Sequence, residues 1–159
     1  MPELEDILEQ NAIPLMRRIH DCVDTGGSLS LSGGVEVLFP IDCALRDYNS
    51  AGALWDKVTS IITDSIDNNE IKVKLRLVLN GPINSTCVIK VVVPHPTFGD
   101  IEVDNQEIVL YRNNTDVAFT AFTLLYNGID SEATTYGFKV TLIPTSSMTL
   151  KSRSILITA

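Results

Sequence analysis

Cysteine is scarce in this 159-residue chain: three residues, at positions 22, 43 and 87, with no CxxC or Cys/His spacing among them. An odd, widely spaced set argues against a disulfide-stapled scaffold and a structural zinc site, so buried free thiols are the expectation. Long apolar runs are missing too, and none approaches the ~20 residues that a membrane-spanning helix needs. Positive charge is short, with 12 Lys and Arg against 20 Asp and Glu and a net charge of −8. Binding to nucleic acid depends on Lys and Arg releasing counterions from phosphates, so no nucleic-acid partner is expected. The densest basic run, Lys72, Lys74 and Arg76, alternates with apolar residues and reads as one wetted strand face.

Marks of catalysis are equally sparse. The chain has two histidines. His95 lies between two prolines and reads as a rigid loop residue. His20 sits near Cys22, but on a helix residues two apart do not face each other. There is no Gly-rich phosphate loop after a strand, no G-x-S-x-G and no H-E-x-x-H. Asp100, Glu102 and Asp104 share one face of an extended segment but lack the glycine turn and ligand count of a calcium loop; they read as a solvated edge. The expectation is a non-enzyme with no catalytic residues, no cofactor and no metal. The N-terminus, Met1-Pro2-Glu3-Leu4-Glu5-Asp6, lacks the basic start and apolar core of a signal peptide, so export by that route is not expected.

What is present divides into arm, hinge and body. Leu4, Ile7, Leu8, Ala12, Leu15, Ile19 and Val23 recur at helical spacing, with acidic residues near the front where the helix dipole favours anions. Pro14 interrupts the pattern, which predicts two short helices over about 3–10 and 14–22 within an arm of residues 1–24. Glycines and serines over 25–34 predict a flexible hinge. The body, 35–159, opens with Val35, Val37, Phe39, Ile41, Cys43 and Leu45 on one face of a strand. Residues 54–63 fit a strand or a short helix, strand being preferred. Ile71, Val73, Leu75, Leu77 and Leu79 alternate with Lys72, Lys74 and Arg76 in a strand over 71–79, and further strands fall at 87–93, 101–103, 107–112, 117–126, 136–143 and 150–159. No stretch between them is long enough for helical crossovers. An antiparallel all-β sandwich or barrel follows.

Residues 117–126, V-A-F-T-A-F-T-L-L-Y, are apolar on both faces. Val117, Phe119, Ala121 and Leu125 point one way, and Ala118, Phe122, Leu124 and Tyr126 the other. A sandwich buries one face of each strand, so the N-terminal helix, a long loop or another subunit must cover the second. Leaving two aromatics and a leucine in water would approach the limit for a soluble monomer. Cover by another subunit is the preferred reading, with closed symmetry as the expected form.

The second half also resembles a known family. Over 101–159 the chain runs through N-Q-E-I-V-L, D-V-A-F-T-A-F-T-L-L-Y, G-F-K-V-T-L-I-P and a last strand reaching the C-terminus. This order resembles the end of a TNF/C1q-like jelly roll, and more specifically the small trimeric jelly-roll proteins of tailed bacteriophages that decorate or cement capsids or form head fibres. The resemblance implies an antiparallel jelly-roll β-sandwich with a short N-terminal helical arm, associating as a homotrimer. It implies that Phe119, Phe122, Tyr126, Ile155 and Ile157 pack around the threefold axis. It also implies that the arm, through Leu4, Ile7, Leu8, Leu15 and Ile19, contacts a major capsid protein. The protein would then be made in the host cytoplasm and reside on the virion surface, without membrane contact. The alternative it leaves open is a carbohydrate- or receptor-binding module of a phage fibre or spike.

Overall fold

The computed structural model describes residues 19–23, 27–39, 46–49, 55–56, 61–62, 69–127 and 136–158. Within them the chain is an antiparallel β-sandwich. In chain order the strands are β1 (Ile19–Val23), β2 (Leu29–Leu31), β3 (Val37–Leu38), β4 (Arg46–Asn49), β5 (Trp55–Asp56), β6 (Ile61–Ile62), β7 (Asn69–Asn80), β8 (Thr86–His95), β9 (Gly99–Val109), β10 (Val117–Asn127), β11 (Lys139–Pro144) and β12 (Met148–Thr158). One sheet runs β10-β7-β12-β1-β4, with β2 also paired to β12; the facing sheet runs β3-β11-β8-β9. β5 and β6 form a separate antiparallel pair. Among the described residues no helix is long and apolar enough to cross a membrane.

The alternation of β7 builds the core. Ile71, Val73, Leu75, Leu77 and Leu79 are all buried, while Lys72 and Arg76 between them are exposed. Facing them are Cys87, Ile89, Val91 and Val93 of β8 with Val140 and Leu142 of β11, in one continuous apolar cluster. The β12 strand changes parity midway. Its register with β7 shifts between Leu150 and Ser152. That one-residue bulge lets Leu150, Arg153, Ile155 and Ile157 all turn inward.

Four expectations are corrected. The helix expected to run to residue 22 is not one at its described end: Ile19–Val23 is a strand between β12 and β4, pairing Ile19 with Thr158 and His20 with Asn49. An inner strand position satisfies backbone groups on both sides, and that outweighs a helical apolar rhythm. Ile19 therefore belongs to the sandwich and not to an arm; Leu4, Ile7, Leu8 and Leu15 lie outside the described residues.

The described part of the expected hinge, residues 27–34, is held against the sheet. β1 and β2 lie along one edge of β12, and Arg153 donates through Nη1 to the Gly27 carbonyl between them at 3.1 Å. The Gly33-Gly34 turn is bound to 144–147. The Gly34 N–H donates to the Pro144 carbonyl at 2.7 Å, and a Cβ on Gly33 would lie 3.1 Å from Ser146 Cα. This turn also shortens the strand expected from residue 35. Val35 stays in the turn, 49% exposed, its N–H bonded to Ser32, and only Val37–Leu38 joins β11. Residues 40–45 lie outside the described set.

Finally, 101–103 and 107–112 are one strand to residue 109, β9, with a bulge opposite Val91/Val92. β8 continues through Pro94: its register with β11 ends at Val92–Lys139, so Pro94 lies opposite Asp100 of β9 with no β11 partner on its other side.

Candidate functional site: the outer face of the six-stranded sheet

Among the described residues β10 is an edge strand, and its two faces have different fates. On the inner side Val117, Ala121 and Leu125 are buried, with Thr123 among them. On the outer side Phe122 is 62% exposed and Leu124 66% exposed. No residue from 117 to 127 carries a charge, and none is proline or glycine. Natural edge strands are usually guarded by such residues, so this edge is unusually bare.

Its neighbour supplies the charge. In register, Phe122 sits beside Lys74 and Leu124 beside Lys72. The Lys74 ammonium lies 5.4 Å from the Phe122 ring centroid, a cation–π distance. Leu156 of β12 continues the Phe122–Lys74 row and is half-buried. The site is thus an apolar strip flanked by a cationic one, on a rigid sheet.

Of the residues expected at a subunit interface, Phe122 lies on this face. Phe119 does not. It points inward, half-buried against the core, with its ring edge-on to Tyr111 at 6.2 Å. Tyr126 lies in β10 opposite Glu70, and its side chain is outside the described set. Ile155 and Ile157 are 0% exposed and face the chain's own core, so they are unavailable to a partner. The bulge before them sets that direction; Ser154, Leu156 and Thr158 take the outer face. Leu124, on the same face as Phe122 by simple alternation, is an outer contributor that the expected interface set passed over.

Two polar features of the edge were not legible. The Gln106 amide on β9 reaches across to β10, donating to the Phe122 carbonyl and to Thr123 Oγ1 at 3.2 Å. It also donates to Asp104 Oδ2 at 3.3 Å, and the Thr123 hydroxyl donates to the same oxygen at 2.9 Å. This latch ties the edges of the two sheets and occupies one outward carbonyl of β10. It also settles the acidic stretch: Asp104 serves the latch, Asp100 pairs with Lys139 at 3.1 Å, and Glu102 accepts from Asn105 at 2.9 Å. Asp104 also accepts the Asn105 backbone N–H at 2.8 Å, so each of the three carboxylates is engaged within the protein.

Elsewhere the chemistry is plain. Among the described residues no group of three or more His, Cys, Asp or Glu could hold a metal ion. An open cleft of about 370 Å³ at one end of the sandwich is lined by Ser30, Ser32, Asn80, Asn114, Ser147 and Thr149 among others, with no titratable side chain. Cys87 is a buried free thiol whose pKa burial pushes up to about 11, so it is a poor nucleophile at neutral pH. Cys22 lies in β1, opposite Ile155 in register, and Cys43 is outside the described residues.

No protein-family model matches the chain, and no curated protein matches it. A solved structure does: Eiger TNF from S. frugiperda, at a TM-score of 0.52 and 10% identity, covering 89% of this chain and 90% of that one. What the two share is the fold, a TNF-like jelly roll. The agreement spans nearly the whole of both chains, well beyond the closing strands that carried the resemblance in sequence.

Proposed function

We propose that the protein is a non-enzymatic structural protein whose jelly roll associates as a homotrimer and decorates a phage capsid. The observation that carries self-association is the outer face of β10, where Phe122 and Leu124 stand in water on a strand with no guarding charge. Exposed apolar surface on a rigid sheet marks a contact site, and a second copy of the chain is the partner this reading assigns to it. The capsid role follows from the resemblance of residues 101–159 to phage decoration and cement proteins. In it the segment ahead of β1 engages the major capsid protein, and the mature location is the virion surface.

Light scattering across a concentration series tests the first half. A threefold mass persisting to low micromolar concentration is expected; a monomer throughout removes the self-association reading. For the second half, co-sedimentation with expanded capsids should be lost on deleting residues 1–18 while the body remains trimeric. The cut falls at 18 because Ile19 already belongs to the sandwich. Capsid binding that survives this deletion sinks the arm as clamp.

One observation favours a second reading, a carbohydrate- or receptor-binding tip: Phe98, 77% exposed, in the turn between β8 and β9. In that case ligand binding survives loss of residues 1–18 and is lost in Phe98→Ala.

A further inference from the structure

The turn joining β8 to β9 is organised around a single lone pair. His95 Nδ1 accepts the backbone N–H of Thr97 at 3.0 Å and that of Phe98 at 3.1 Å. The imidazole also lies between two rings: Phe98, with centroids 4.7 Å apart and planes tilted by 33°, and Tyr136, edge-on at 5.1 Å. Pro94 and Pro96 restrict the backbone on either side, and Gly99, at φ +75°, supplies the left-handed residue that closes the turn. The result holds Phe98 out at the tip of the hairpin, where it is the most exposed large apolar side chain among the described residues.

A nitrogen that accepts two N–H groups cannot also carry a proton. In the neutral ring Nδ1 accepts and Nε2 bears the hydrogen; in the imidazolium both nitrogens are donors and neither accepts. Protonation would therefore set three N–H groups against one another at Nδ1 and remove both bonds that shape the turn. The neighbouring charges at this end are Asp100 of β9 and Lys139 of β11, already paired with each other at 3.1 Å, and Tyr136 is the other titratable group against the ring.

We propose that the His95 turn is a pH-operated presenter of Phe98. While His95 is neutral the turn is closed and the phenyl ring is held out against the imidazole; when His95 takes a proton the turn opens and the ring is released. The sign follows from the bonding, since both bonds exist only in the neutral form and are lost as pH falls. Unperturbed histidine is the side chain whose charge change falls between about pH 5 and 8, which sets the range over which the device is tested. It is independent of the oligomeric state and of the outer face of β10.

The test is a series of ¹H–¹⁵N spectra of the wild-type chain from pH 8 to 5, with the His95 Hε1 resonance followed in the same samples. The Thr97 and Phe98 amides should move with the midpoint of that resonance while a core amide such as Leu142 stays fixed. Their hydrogen exchange, corrected for its intrinsic pH dependence, should rise by about fivefold or more each, the equivalent of one hydrogen bond's net contribution. The variant His95→Phe keeps a ring to stack and offers no acceptor, so both amides should exchange fast at pH 8 as well. The proposal is overturned if His95 protonates while the two amides stay where they are, or if His95 remains neutral down to pH 5. If the variant does not fold, the wild-type titration decides alone.

Discussion

Replacing Phe122 and Leu124 together by threonine probes the outer face with the least disturbance to the fold. Threonine keeps the β-branched shape that suits a strand, and neither side chain belongs to the core cluster. With Phe122 62% and Leu124 66% exposed, the two side chains leave in water about 200 Å² of apolar surface, worth roughly 5 kcal/mol per subunit if a partner covers all of it at ~25 cal/mol/Å². Threonine retains a methyl group, so a loss of about 3 kcal/mol is the working figure, or roughly a 100-fold weaker dissociation constant. Folding should hardly notice: exposed substitutions usually stay within about 0.5 kcal/mol, with up to ~1 more for the lost Lys74–Phe122 contact. Light scattering from 1 to 100 µM and a thermal melt on the same samples read both quantities. The expected pair is a wild-type trimer and a variant that dissociates at low concentration with its Tm nearly unchanged. A variant as firmly trimeric as the wild type would refute the assignment of this face as the subunit contact.

Gln106→Ala removes the donor that serves Phe122, Thr123 and Asp104; a loss of about 1–2 kcal/mol and several degrees in Tm is expected from denaturation. Gln106→Glu should cost more, because it sets a carboxylate beside Asp104. Gly34→Ala places a Cβ at φ +76°, which should cost about 1–2 kcal/mol, read by urea unfolding. A Cys87 thiol raised to about 11 should resist iodoacetamide in native protein at pH 8 and react on unfolding. Because the folded value lies above the unfolded one, its contribution to stability is complete below about pH 8.5 and declines as pH rises towards 11.

The period-two rhythm of 71–79 specified both a strand and its faces, because a basic–apolar alternation has one arrangement that buries only the apolar half. The two-sided apolar character of 117–126 was equally local, and so was the exposure of Phe122 and Leu124 once one face was assigned to the core. Other readings failed where a local rhythm met a tertiary demand. The helical spacing through Ile19 and Val23 lost to the backbone bonds of an inner strand. The glycines of 33–34 read as freedom, yet here Gly33 serves close approach to Ser146 and Ser147, and Gly34 supplies the left-handed φ of a turn bonded to Pro144. Direction on β12 was out of reach because one bulged residue inverts every side chain after it, moving Ile155 and Ile157 from a supposed interface into the core.

By itself, then, the sequence determined an all-β chain, the apolar set of its longest strands, and one strand apolar on both faces. These are properties of neighbours two residues apart, and a strand's periodicity carries them without reference to the rest of the chain. The tertiary structure alone decided that β1 completes the sheet, that Gln106 latches β9 to β10, that Lys74 lies against Phe122, and that a histidine lone pair closes the β8–β9 turn. Each of the last three joins residues through the position of strands or the path of a turn. Composition and spacing do not encode such meetings, because register and chain direction arise only when the whole sandwich closes.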